Sequence, residues 1–110
     1  MKEAKYYEKI GASGNSRKIM KILKTGEYEE KRLTLLAMGR AASGSDAVYN
    51  QLVQILQAAD QKEDILLAVE AISLSGKSTA ISQLEFMIER NSDPEVDEAM
   101  RKAIRTIRNS

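Results

Sequence analysis

The residues Ala71-Ile72-Ser73-Leu74-Ser75-Gly76-Lys77-Ser78 fit a relaxed phosphate-binding pattern: Ala or Gly, four residues, then Gly-Lys-Ser. In such a loop backbone N–H groups wrap the phosphates, the lysine reaches the terminal ones and the hydroxyl holds magnesium. That chemistry requires a buried strand before the loop and an acidic strand end nearby. Ala71 to Leu74 instead continue an apolar stripe of helical spacing, with no strand-helix-strand unit around them. The motif is read as a turn between helices, and Gly39 to Gly44 followed by Ser45-Asp46 repeats its outline.

Carboxylates cluster at Glu27, Glu29 and Glu30, at Glu63 and Asp64, and at Asp93, Glu95, Asp97 and Glu98. A calcium loop needs oxygen ligands at alternating positions around a central Gly, with a terminal Glu, and none of these runs has that spacing. A general acid and base need burial to split their pKa values, whereas these acids fall where helices begin and suit the positive end of the helix dipole. The chain has no Cys and no His, which removes disulfides, thiol nucleophiles, imidazole bases and most transition-metal sites. The expectation is a protein without catalytic residues, cofactor or metal.

Cations form two groups: Arg17, Lys18, Lys21 and Lys24, and Arg101, Lys102, Arg105 and Arg108. Residues 1 to 40 hold ten Lys or Arg against five acids, residues 41 to 100 three against eleven, although formal net charge is only +1. Phosphate binding uses cations at such density. The acidic middle and the lack of interleaved aromatics argue against a nucleic-acid surface, which stays a lesser alternative.

The elements that carry these residues follow from composition and periodicity. The 110 residues fit one domain, 1–110, and the 43% apolar content supplies a core. A single Pro and six Gly leave little material for sandwich or barrel turns, so an all-α chain is expected. No apolar run approaches the roughly 20 residues that cross a bilayer. The start MKEAKYYEKI lacks the apolar centre of a signal peptide, and a cytoplasmic location is the default.

Apolar residues recur at helical steps in seven windows, separated by segments rich in Gly, Ser, Asn and Asp. Their stripes run from Tyr6, Tyr7 and Ile10 in the first to Val96, Met100, Ala103, Ile104 and Ile107 in the last. Asn15 or Ser16, Ser45 or Asp46, and Ser78 or Thr79 are the expected caps of the even helices; Asp93 with Pro94 opens the seventh. The windows also match one another. Tyr7, Leu35, Val69 and Met100 form one column and Ile10, Met38, Ile72 and Ala103 a second, recurring every 28 to 34 residues. In the even windows Ile19, Tyr49 and Ile81 are followed three residues on by Ile22, Leu52 and Leu84. A helical hairpin repeated at that period cannot bury its apolar face alone and must stack on its neighbours.

Ala37-Met38-Gly39-Arg40-Ala41, Val69-Glu70-Ala71-Ile72 before a Gly turn, and the start Asp93-Pro94-Glu95-Val96 resemble bacterial HEAT repeats. The resemblance covers essentially the whole chain. It implies a right-handed α-α superhelix, a HEAT-like solenoid of about seven helices in three and a half hairpins. The approximate repeats are 2–26, 27–60 and 61–92, with 93–110 as a half repeat or capping helix. HEAT-like hydroxylases hold iron through His-Glu pairs, for which this chain has no His. The resemblance further implies that the second helix of each hairpin lines a concave face that binds a protein or peptide. On those helices the outward rows are Lys21, Gln51 and Gln83, then Lys24, Gln54 and Phe86. The alternative is a structural repeat of a larger array or homo-oligomer that self-associates through its terminal helices, since Val96, Met100, Ile104 and Ile107 end half-way through a repeat.

Overall fold

Asp93 shows how local chemistry sets the elements. Its carboxylate accepts hydrogen bonds from the Glu95 and Val96 amides at 2.8 and 3.3 Å, and Pro94, which has no N–H to satisfy, takes the first helical position. The computed structural model, which describes residues 2–110, contains seven helices and no strand among those residues. They are α1 (Ala4–Ser13), α2 (Ser16–Thr25), α3 (Tyr28–Ala42), α4 (Asp46–Ala58), α5 (Lys62–Ser75), α6 (Ala80–Arg90) and α7 (Pro94–Arg108). Asn15 and Ser45 cap α2 and α4 by accepting from the Lys18 and Val48 amides, while Thr79 precedes α6 without a side-chain cap. Helices α1 and α5 close at Gly14 and Gly76, whose φ of 67° and 63° are the left-handed values that glycine adopts without strain.

The odd helices lie side by side: α1 packs on α3, α3 on α5 and α5 on α7. The even helices lean on them, α2 on α1 and α3, α4 on α3 and α5, and α6 on α7. The molecule measures 37 × 27 × 18 Å. Its short dimension is about two helix diameters and its long one fits four helices spaced about 9 Å apart. All eight residues of the two odd columns are buried at 6% exposure or less, so the repeated register is also the core register. Leu52 and Leu84 of the even column are fully buried, while Ile22, Tyr49 and Ile81 are half-buried. Tyr6, expected in the first stripe, is instead exposed, because adjacent helical residues point about 100° apart and Tyr7 takes the inward direction.

Gly11 and Gly39 mark where the odd helices meet most closely. A Cβ on Gly39 would lie 2.9 Å from the Ala71 carbonyl carbon and closer still to its oxygen; one on Gly11 would overlap the Thr34 carbonyl oxygen. Backbone therefore rests on backbone across both joints, α1 on α3 and α3 on α5.

Polar ties recur between neighbouring hairpins. Lys31 pairs with Asp64 at 3.1 Å and Glu63 at 3.7 Å, and Lys62 with Glu95 and Asp93 at 2.8 and 3.0 Å, one hairpin further on. Arg40 meets Glu8 at 3.5 Å and Lys77 meets Asp46 at 2.9 Å. The Tyr7 hydroxyl donates to Glu30, whose other oxygen accepts from the Glu27 amide at 2.7 Å.

That Tyr7 bond holds the Glu30 carboxyl below its usual pKa, helped by the Glu27 N–H, and the same bond is the chief cause that raises the phenol above its own. A lowered carboxyl contributes stability above its unfolded value that is lost as pH falls through the folded one. A raised phenol contributes stability below its unfolded value that is lost as pH rises through the folded one. The tie is therefore at full strength between about pH 4.3 and 10. Tyr7→Phe is expected to lower the urea midpoint across that window, with the gap to wild type narrowing on either side. A gap independent of pH would show that the hydroxyl does not act through Glu30.

Candidate functional site

The Gly-Lys-Ser segment is built from the end of α5 and its turn. Ala71 to Ser75 are helical, Gly76 N–H donates to the Ser73 carbonyl, and Lys77 N–H donates to Ser75 Oγ at 3.2 Å. The buried Ser75 hydroxyl donates to the Ile72 carbonyl at 2.6 Å, and the Lys77 ammonium is engaged by Asp46. The Gly76 and Lys77 amides, which would face a phosphate in such a loop, are thus already bonded within the turn. The carboxylate runs are similarly occupied: Glu29 pairs with Arg32, Glu63 and Asp64 with Lys31, Asp93 and Glu95 with Lys62, Asp97 with Arg101 and Glu98 with Arg105. The Lys62 bond is the main reason why the Asp93 carboxyl sits below its usual range, with the Val96 and Glu95 amides adding to it.

Two adjoining hollows, of about 370 and 580 Å³, lie between α2 and α4. Ile19 and Met38, both buried, line the first together with Met20, Ile55 and Ala58, the last three of which also line the second. Met20 is 58% exposed, the largest open value among the big apolar side chains of the described residues. The apolar lining follows from the sequence: α2 carries Ile19, Met20, Ile22 and Leu23, more apolar residues than one inward stripe accommodates, and Met20 falls on the outer edge of the stripe.

Four of the six residues expected on this face border the hollows. Lys21 and Lys24 are exposed on the α2 side and Gln54 is exposed on the α4 side. Gln51 lines the first hollow but is half-buried. Its Nε2 donates to the Gly14 carbonyl at 3.0 Å and to Ser16 Oγ at 2.8 Å, and its Oε1 is buried without a hydrogen-bond partner. It acts as a strut joining α4 to the start of α2.

Gln83 and Phe86, on α6, border neither hollow. Gln83 is half-buried; Phe86 is 52% exposed and lies under the Arg90 guanidinium, 3.6 Å from the ring centroid. That stacked pair covers one ring face on its own helix. Met20, Ile55 and Ala58 were missing from the sequence-derived face because the helical stripe assigned only inward and outward positions, and the groove is made at the boundary between them.

The two cationic groups differ. On α7 Arg101, Arg105 and Arg108 meet Asp97, Glu98 and Glu85 at 2.8, 2.9 and 3.6 Å. On α2 Arg17, Lys18, Lys21 and Lys24 are exposed and make no ion pair among the described residues. The apolar stripe of α7 is covered within the chain: Val96, Met100, Ile104 and Ile107 are buried at 6% exposure or less, which removes the open seam expected to drive self-association. No described helix is long and apolar enough to cross a membrane. No family model, curated protein or solved structure matches this chain.

Proposed function

We propose that the chain is a short HEAT-like solenoid, a right-handed stack of three and a half hairpins, and that it serves as a non-catalytic scaffold binding a protein or peptide along the face of α2, α4 and α6. The observation that carries this reading is the open α2–α4 groove, whose apolar lining includes an exposed Met20 and whose borders are Lys21, Lys24 and Gln54. Exposed apolar surface framed by polar groups is a common mark of a binding surface. The stacked reading is supported by the buried odd columns and by ties that recur from one hairpin to the next. The charged chemistry, by contrast, is largely consumed in ion pairs and turns, which leaves recognition as the better use of this surface.

The test is selection of displayed peptides on the purified chain, followed by mapping of the selected peptides by amide chemical shifts. Perturbations confined to α2, α4 and α6 are expected. Recovery of no peptide, or shifts confined to α1, α3, α5 and α7, would overturn the proposal.

A further inference from the structure

We infer that the α2–α4 groove takes an acidic amphipathic peptide segment, whose apolar side chains sit against Met20 and Ile55 while its carboxylates meet Lys21 and Lys24. The inference rests on the peptide-binding reading above and adds the chemistry of the partner. Charge complementarity carries it. Helix α2, SRKIMKILKT, holds four cations and no acid, and none of the four has an intramolecular partner among the described residues. Among the described residues Lys31, Arg32, Arg40, Lys62, Lys77, Arg101, Arg105 and Arg108 all meet carboxylates, and Lys2, Lys5, Lys9, Arg90 and Lys102 do not; what sets α2 apart is that four such cations share one helix that carries no acid. Arg17 and Lys21 are four residues apart, Lys18 and Lys21 three, and Lys21 and Lys24 three, spacings at which like charges on a helix repel. A partner carboxylate relieves that repulsion.

The groove has one cationic wall, one amide wall and an apolar floor. Gln54 on α4, lining the smaller hollow, offers hydrogen bonds without charge, while Asp60 and Asp64 line the larger hollow with Lys21 and Lys24. Asp64 is engaged by Lys31; Asp60 has no ion pair among the described residues and repels acid there. Lys21 and Lys24 are the cations of this hollow that a partner's acids can meet. The floor separates this partner from a nucleic acid: a phosphate backbone has nothing apolar to lay on Met20, and no aromatic side chain lines either hollow as a stacking platform. The unbranched thioether of Met20 adapts to varied apolar shapes.

The test uses the full chain, labelled with ¹⁵N, and four probes. The first is a peptide of about 11 residues, roughly three helical turns, with Leu at helical spacing and Glu elsewhere. The second replaces each Glu with Lys, the third replaces each Leu with Ser, and the fourth is a short DNA duplex. The Leu-Glu peptide is expected to shift amides of α2 and α4, and the other three to leave them in place at equal concentration. Lys21→Glu with Lys24→Glu is expected to weaken the Leu-Glu peptide about tenfold and to admit the Leu-Lys peptide. Met20→Ala is expected to weaken it severalfold while leaving the melting temperature unchanged, because Met20 is exposed. Equal binding of the Leu-Lys peptide to the unaltered chain, equal binding of the Ser-Glu peptide, or a duplex that displaces the Leu-Glu peptide would each overturn the inference. If displayed peptides that are neutral or basic move the α2 and α4 amides and the Leu-Glu peptide does not, the acidic partner is refuted and the peptide-binding reading stands. If no peptide moves the even helices, both are refuted.

Discussion

Gly39→Ala is expected to cost about 3 kcal/mol of stability, a large share of the roughly 5 to 15 kcal/mol that holds a domain of this size together. Within a helix the exchange would ordinarily stabilise by about 1 kcal/mol, since alanine is the better helix former. The new methyl, however, meets the backbone of Ala71 rather than a flexible side chain, so α3 and α5 must separate along their contact to admit it. Their separation disturbs Met38, Ala68 and Ile72, all buried at 1% exposure or less. A fall in melting temperature of roughly 12 to 20 °C follows from that cost. Gly44→Ala is the control, because a Cβ there has nothing within 4 Å, and its melting temperature is expected to stay within about 3 °C of wild type. If the two variants melted alike, the backbone contact at Gly39 would be refuted.

Leu52→Ala is expected to cost a similar amount, about 3 kcal/mol, through a different mechanism. Leu52 is fully buried in the continuous core, so truncation removes apolar contacts and leaves a void that neighbours fill only in part. Because α4 packs on both α3 and α5, the void weakens the centre of the molecule and one wall of the groove with it. The same truncation at Leu74, which is 42% exposed, is expected to change stability by less than about 0.5 kcal/mol. Urea unfolding of the two variants checks the contrast; equal midpoints would mean that Leu52 is not where the core resists loss.

Much of the fold was legible in the sequence because the information is periodic. The spacing that aligned Tyr7, Leu35, Val69 and Met100 depends only on which residues share a helix face, and all four proved buried. Helix α5 runs from Lys62 to Ser75 as its stripe and Gly76 required, and Asp93 with Pro94 begins α7. What the sequence could not display are relations between positions some thirty residues apart. Gly11 and Gly39 read as ordinary helical glycines until Thr34 and Ala71 are placed against them. Gln51, which looks solvent-facing by period, reaches Gly14 and Ser16 because α2 begins beside α4. Periodicity likewise offered Lys21, Gln51 and Gln83 as one row with Lys24, Gln54 and Phe86 beside it; only the packing of α2 near α4 separates the groove residues from the pair on α6.

The two backbone-to-backbone joints carry a mechanical consequence. Gly11 and Gly39 occupy equivalent places, four residues after Tyr7 and Leu35, whereas the equivalent place after Val69 is Ser73. Where backbones touch there is no side-chain cushion to compress or reorient, so α1, α3 and α5 form a stiff slab. The α5–α7 joint has Ser73 in place of a glycine at the equivalent position, and is expected to be the more compliant one. Bending of the molecule is therefore expected to concentrate there, with spin labels on α3 and α7 giving a broader distance distribution than labels on α1 and α5. Helices α2 and α4 stand on the stiff part, which makes their groove a jaw of fixed gape while α6 rides on the moving end.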